Sequence, residues 1–256
     1  MQLKRHNLSK KIRGIVIVLL GISILFSITY ALEDDVKKGL ITYTDGRVKK
    51  RTVNDEEWMN AKKNSDVLTG DRVRTYQRSR AELELLELDV VRMAPETIID
   101  IVKLFEETKD KVKQTTLSLE KGDIWAKVKK KKENVKFDIS APVAVAAITG
   151  TVLRIGVTSD STTELKVYNG EVQITNAPEK TDLTPKTIKV HEVPGPYEIP
   201  GPREVSLEEW VYIVRNMQKI VIDNKGQVKE VGKFDLSDQD EKTDWVKWNQ
   251  KRDRMR

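Results

Sequence analysis

Three times in this chain a glycine followed by an acidic residue opens a run of β-branched and aromatic side chains: Gly70-Asp71 before RVRTY, Gly122-Asp123 before IWAKV and Gly170-Glu171 before VQIT. A fourth glycine, Gly46, follows Asp45 between GLITYT and RVKKRTV. Glycine supplies the positive φ angles of a tight turn, and β-branched side chains fit a pleated surface better than a helix. A chain punctuated in this way is confined to short strands. The spacing, about 50 residues, is too long and too loose for a solenoid repeat. The expectation is therefore a set of hairpins in one mainly β domain, an antiparallel sandwich or jelly-roll-like fold.

Alternation supports this. Ala81, Leu83 and Leu85 share one face against Glu82 and Glu84, and Val135, Phe137 and Ile139 alternate with Lys136 and Asp138. The nearly all-apolar stretch Ser140 to Val157 predicts a central strand buried on both faces, with Gly150 at a bulge or close backbone approach. LFEETKDKVKQTTLSLE interrupts the pattern and is polar enough for a long loop or a short helix.

Prolines gather between Ala177 and Pro202 and predict an extended connector. Two helices are expected after it. SLEEWVYIVRNMQKIVI opens with a capping box, Ser206 and Glu209, and sets Trp210, Ile213, Val214, Met217 and Val221 on one helical stripe. Beyond a turn at Asp223 to Gly226 and a short strand QVKEV, the last segment carries acids early and bases late, as a helix dipole prefers. Trp245 and Trp248 share a face of that helix, so the tail is expected to dock on the β domain. The expected divisions are a signal peptide or anchor over 1–32, the β domain over 40–177, the connector over 178–205 and a helical region over 206–256.

Charge decides which partners to consider. The chain has 256 residues and a formal charge of +6, of which Lys4, Arg5, Lys10, Lys11 and Arg13 supply +5. The remainder is nearly neutral, so no nucleic-acid partner is expected. The uncharged stretch Gly14 to Leu32 lies between that basic cluster and Glu33, Asp34 and Asp35. Basic before and acidic after predicts an N-terminus in the cytoplasm and a body outside it, periplasmic or anchored in the inner membrane. The stretch is about long enough to span a bilayer, and its Ser27, Thr29, Tyr30 and Ala31 ending also resembles a signal-peptidase site after Ala31. Cleaved leader and uncleaved anchor both export the body. With no cysteine, disulfides and thiolate metal sites are excluded.

Residues for chemistry are sparse, and the expectation is no enzyme, no cofactor and no metal. His191 is the one histidine beyond the export segment and sits in the connector, without a G-x-S-x-G nucleophile turn to join it. No phosphate loop or dinucleotide fingerprint occurs, since the glycines open strands rather than helices. Asp238 and Asp240 match the first positions of a calcium loop, but Thr243 stands where its glycine is needed and Asn249 where its last carboxylate is needed. A carboxylate pair acting on envelope carbohydrate is the enzymatic alternative. Lys127, Lys129, Lys130, Lys131 and Lys132 are candidate contacts to an anionic surface, or else a solubilising hairpin tip.

Taken in order, Gly46-Arg47-Val48, Trp58 with Ala61, DVLTGDRVRT, SRAELEL, VVRMAPETIIDI, LEKGDIWAKV, FDISAPVAVAAITGTVLRIGV and TTELKVYNGEVQI resemble the FecR-domain family of bacterial extracytoplasmic proteins. The resemblance runs from about Leu40 to Thr175 and implies an export-side β-rich domain, commonly tied to the inner membrane. Within it Gly46, Trp58, Gly70, Asp71, Pro95, Gly122, Asp123, Gly150, Thr151 and Gly170 stand as scaffold residues, and none is catalytic. In the ferric-citrate type of regulator such a domain relays an outer-membrane signal to a sigma factor. Two local departures are Thr149, where many relatives carry arginine, and Leu88-Asp89-Val90, which lacks the usual Asp-Gly turn. Only Met1 to Arg13 precede the apolar stretch here, too few to bury a core that grips a sigma factor. The expectation is therefore a binding protein for an envelope protein or polymer, acting as scaffold or sensor, held to the membrane if the N-terminal segment is uncleaved. The alternative is a membrane-tethered signalling or sigma-regulating component.

Overall fold

The computed structural model describes residues 37–85, 89–130, 134–180, 182–188 and 209–255. All lie in the second of two compact units, Lys37–Arg256. The predicted export segment, the capping residue Ser206, His191, Lys131 and Lys132 fall outside the described residues.

The chain is mainly strand. β1 (Gly39–Asp45) and β2 (Val48–Arg51) are followed by the two-residue β3 (Met59–Asn60) and β4 (Asp66–Val67), then β5 (Arg72–Thr75). β6 (Arg80–Glu84), β7 (Val90–Met93), β8 (Ile98–Glu107) and the long β9 (Lys113–Lys127) come next. After them stand β10 (Val135–Ala141), β11 (Ala144–Ile148), β12 (Val152–Val157), β13 (Thr163–Asn169), β14 (Glu171–Thr175) and β15 (Lys186–Thr187). β16 (Val211–Arg215), β17 (Gln218–Ile222) and β18 (Val228–Lys233) close the series. A 3-10 turn, Gln239–Lys242, and one helix, α1 (Asp244–Arg254), end the chain.

Pairing divides the strands between two sheets. In the first, the order is β4-β1-β6-β7-β9-β12-β13-β17-β18. In the second it is β3-β2-β5-β8-β9-β10-β11-β14-β16-β15. β9 belongs to both: Lys113 to Lys121 pair in the second sheet and Gly122 to Lys127 in the first. One apolar core draws on both sheets, with Ile41, Leu83, Leu153 and Leu165 from the first and Val73, Leu117, Phe137 and Ile174 from the second.

This topology corrects the hairpin reading of the glycines. Gly46, Gly70, Gly150 and Gly170 each separate a strand of one sheet from a strand of the other, and Gly122 sits within β9 where that strand changes sheet. They mark corners between sheets. All five have positive φ. The requirement is plain at Gly122, where φ is +96° and an added Cβ would lie 2.5 Å from the Cα of Thr97. It recurs at Gly170, where a Cβ would stand 2.7 Å from the carbonyl oxygen of Gly150. A side chain at either corner would push two backbones apart.

Three further expectations are corrected. The stretch Ser140 to Val157 is no single central strand: a turn at Pro142-Val143 folds β11 back on β10, and the corner at Gly150 sends β12 to the first sheet. Burial along β11 and β12 alternates, so each buries one face only. The polar stretch Leu104 to Glu120 is neither loop nor helix but the end of β8, a turn and most of β9. Of the two predicted C-terminal helices only the last exists, and the stripe from Trp210 to Val221 is β16 and β17. β14 and β13 each present an edge whose backbone groups need partners, and the β-branched Val211, Ile213, Val214, Ile220, Val221 and Ile222 suit that role. Met217, at φ 58°, turns the chain from one sheet to the other.

Candidate functional site

A row of polar and aromatic side chains crosses the outer face of the first sheet. The register sets Tyr43 opposite Glu82, Glu82 opposite Arg92 and Arg92 opposite Trp125. It continues with Trp125 opposite Arg154, Arg154 opposite Lys166 and Lys166 opposite Lys219. Alternation puts these residues outside, since their strand neighbours Leu83, Val91, Ile124, Leu153 and Leu165 fill the core. An outward face is normally wet, yet Glu82 and Arg92 are fully buried and Lys166 is 2% exposed.

The C-terminal segment covers them. Trp245, Val246 and Trp248 pack with Ala94, Trp125, Val152 and Tyr168 in a cluster separate from the main core. The remaining contacts are polar. Arg252 donates from Nε and Nη2 to the two carboxylate oxygens of Glu82 at 2.8 and 2.9 Å, and Arg92 Nε donates to the same group at 2.7 Å. Asp253 accepts from Arg92 Nη1 at 2.8 Å and from Trp125 Nε1 at 2.9 Å, while its carbonyl accepts from Lys127 Nζ at 3.0 Å. Trp245 Nε1 donates to Asp123 Oδ1 at 3.0 Å, and Asp123 also holds Arg154. Lys166 meets Asp240 and Glu241, and Tyr168 donates to Glu241 at 2.7 Å. Arg80 pairs with Asp244. The helix starts where Thr243 Oγ1 accepts from Val246 N, and its dipole is favoured by Asp244 in the first turn and Lys251, Arg252 and Arg254 in the last.

Ionisation follows from this packing. Burial raises the Glu82 carboxyl, but hydrogen bonds from Arg252, Arg92 and Thr42 outweigh it and hold the group at about 2. Asp123 goes the other way: burial pushes it up more than Arg154 and Trp245 bring it down. Burial lowers Lys166, yet its hydrogen bonds with Asp240 and Glu241 leave it raised overall, and Asp240 is correspondingly lowered. Burial and the bond to Glu241 push the Tyr168 phenol up, so it stays a neutral donor. The strip is thus a set of fixed charges on strands, matched by fixed charges on a tail.

The residues singled out from the sequence lie mostly elsewhere. Asp71 is buried and accepts from Leu68 N and Lys50 Nζ, Thr151 donates to the Glu171 carbonyl, and Pro95 lies between β7 and β8. Trp58 stands beneath the Arg51 guanidinium at 5.5 Å. Of the lysine run, Lys127 is engaged by Asp253, the Lys129 amide donates to Asp89, and the Lys130 backbone lies against Gly150. Asp123 alone of the scaffold set joins the strip. Sequence reasoning missed Glu82, Arg92, Arg154, Lys166, Glu241, Arg252 and Asp253. A signal was available: VVRM, VLRI and ELKVY each lodge one charged residue, Arg92, Arg154 or Lys166, inside an apolar strand, which demands a partner from another element.

The sheet architecture and its covered strip define a β-rich body that holds its own C-terminal helix by charge. Residues 71–173, from the start of β5 into β14, match the family model described as FecR protein, so that region is similar to a FecR domain. Two crystal structures of a candidate anti-sigma factor from Parabacteroides distasonis ATCC 8503 are similar at 13% identity, with TM-scores of 0.42 and 0.43. Each comparison covers 64% of this chain and 59% of that protein, so the chain spans about three fifths of its length. No curated protein matches the chain.

Proposed function

We propose that this chain is a non-enzymatic, exported FecR-domain protein that acts by binding a protein or polymer of the bacterial cell envelope. The FecR match over residues 71–173 carries the reading, supported by the uncharged stretch Gly14 to Leu32 between basic and acidic clusters. In this reading the two sheets close on their shared core as an antiparallel sandwich, and the glycine corners keep its faces fixed for a partner. Lys129 and Lys130 remain candidate contacts to an anionic surface. The test is chemical cross-linking of the full chain in intact cells, followed by mass spectrometry of the linked species. An envelope protein or polymer joined to the folded body supports the reading, and linkage to cytoplasmic proteins alone overturns it.

A second reading, a membrane-tethered component of transmembrane signalling or sigma-factor regulation, is favoured by the same FecR match. Reporter transcription that responds to deletion of the body, with the N-terminal 36 residues left in place, separates the two.

A further inference from the structure

Arg154, Lys166 and Lys219 stand directly opposite one another on three neighbouring strands. Like charges in that arrangement repel, so the face as built requires anions laid across it. The sheet supplies two of them itself, Asp123 on Arg154 and Glu230 on Lys219, and the C-terminal segment supplies the rest: Asp240 and Glu241 on Lys166, and Asp253 on the neighbouring Arg92. The segment is nonetheless an incomplete occupant. Arg92, with no exposed side-chain surface, keeps its Nη2 without an acceptor among the described residues, and so does the buried Nη1 of Arg154. Its remaining bonds to α1 through Asn249 are long, both 3.4 Å. A buried guanidinium N–H left unpaired is a cost that an occupant with one more acceptor would remove.

Release of the segment would uncover more charge than apolar core. The groups it would uncover, Glu82, Arg92, Lys127, Arg154 and Lys166, are ionic and regain water on an open sheet face, unlike an apolar core. The apolar part of the contact is the cluster around Trp245, Val246 and Trp248, with Trp248 also against Tyr43.

We propose that the outer face of the first sheet is a docking site for an amphipathic helical segment of mixed charge from a partner protein, and that the 3-10 turn and α1 are its built-in competitor. The partner segment carries carboxylates for Lys166 and Arg92, an aromatic side chain and a cation for Glu82, as the tail does with Asp240, Glu241 and Asp253, its tryptophans and Arg252. This deepens the binding reading above and rests on it for the identity of the partner, though not for the chemistry of the face.

The probe is a synthetic peptide with the sequence of residues 235–256, labelled with a fluorophore, titrated into the purified full chain and into its Asp253→Ala variant. Asp253 holds Arg92, Trp125 and Lys127, so its loss loosens the tail. The tethered tail competes at an effective concentration on the order of millimolar, so the peptide is expected to bind the variant at least ~10-fold more tightly than the unmodified chain. A peptide carrying D240K, E241K and D253K is expected not to bind. Should the variant fail to fold, hydrogen exchange of the unmodified chain gives the answer: excess native-sequence peptide accelerates exchange in α1 and leaves β9 and β12 protected. Absence of peptide binding to a variant whose α1 exchanges freely overturns the proposal, as does equal binding of the charge-swapped peptide. A concentration-dependent dimer of the variant overturns it in favour of tail exchange between copies. All readouts use purified protein, so they stand apart from any result on export.

Discussion

Replacing Glu82 with glutamine is expected to destabilise the protein by an amount that depends on pH in one direction. Glu82 accepts from Arg92, Arg252 and Thr42 in a site without solvent exposure, and its carboxyl falls from an ordinary 4.5 to about 2. A depressed folded value means the ionised group stabilises the fold. That contribution is present in full above 4.5 and is lost as pH falls toward 2. At about 1.4 kcal/mol for each pH unit between the unfolded and folded values, it amounts to on the order of 3 kcal/mol at neutral pH. The independent expectation for breaking a buried ion pair by removing one partner, roughly 3–5 kcal/mol, agrees. Glu82→Gln keeps shape and volume while removing the charge. The assay is urea unfolding of both proteins at pH 7, 5 and 3. The deficit of the variant is expected near 3 kcal/mol at pH 7 and less than half of that near pH 3, because other carboxylates titrate in both proteins and cancel. A deficit that stays the same across the series, or one below about 1 kcal/mol at pH 7, would refute the reasoning.

The corners give a second expectation. Gly122→Ala, driven against the Thr97 backbone at 2.5 Å with φ at +96°, should cost about 2 kcal/mol or more, whereas Gly232→Ala, with nothing within 4 Å, should leave the melting temperature nearly unchanged. Trp210→Phe removes the 2.9 Å bond from its indole Nε1 to the buried carbonyl of Gly226, which still accepts from Asn176 Nδ2 at 3.2 Å, and should lower stability by about 1 kcal/mol in chemical denaturation. Mass measurement of the membrane-extracted protein should show either the full chain or loss of Met1 to Ala31; any other N-terminus contradicts both export routes.

The class of fold was legible because its signals are local. Period-2 alternation around Leu83 and Phe137 and the glycine-acid pairs each specify a strand or a stop without reference to the rest of the chain. What a stop joins is not local. Gly170 needs the same φ whether the next strand turns back beside the last or crosses to another sheet, so a corner and a hairpin look alike in sequence. The error at Trp210 to Val221 has a related cause. Its apolar residues satisfy helical and strand spacing at once, and the edges of β13 and β14 decided between them. The charged strip was hidden because its members come from β6, β7, β9, β12, β13 and the tail. Glu82 looked like an ordinary solvated residue on the outer side of an amphipathic strand, and only the docked helix makes it a buried one.

The central claim is that this folded body works outside the cytoplasm. The most direct measurement is protease treatment of spheroplasts expressing the full chain with an epitope after Arg256. The account predicts loss of the epitope while the membrane is intact and a cytoplasmic marker survives. An epitope that stays protected until the membrane is lysed, on a body shown to be digestible once released, would contradict it.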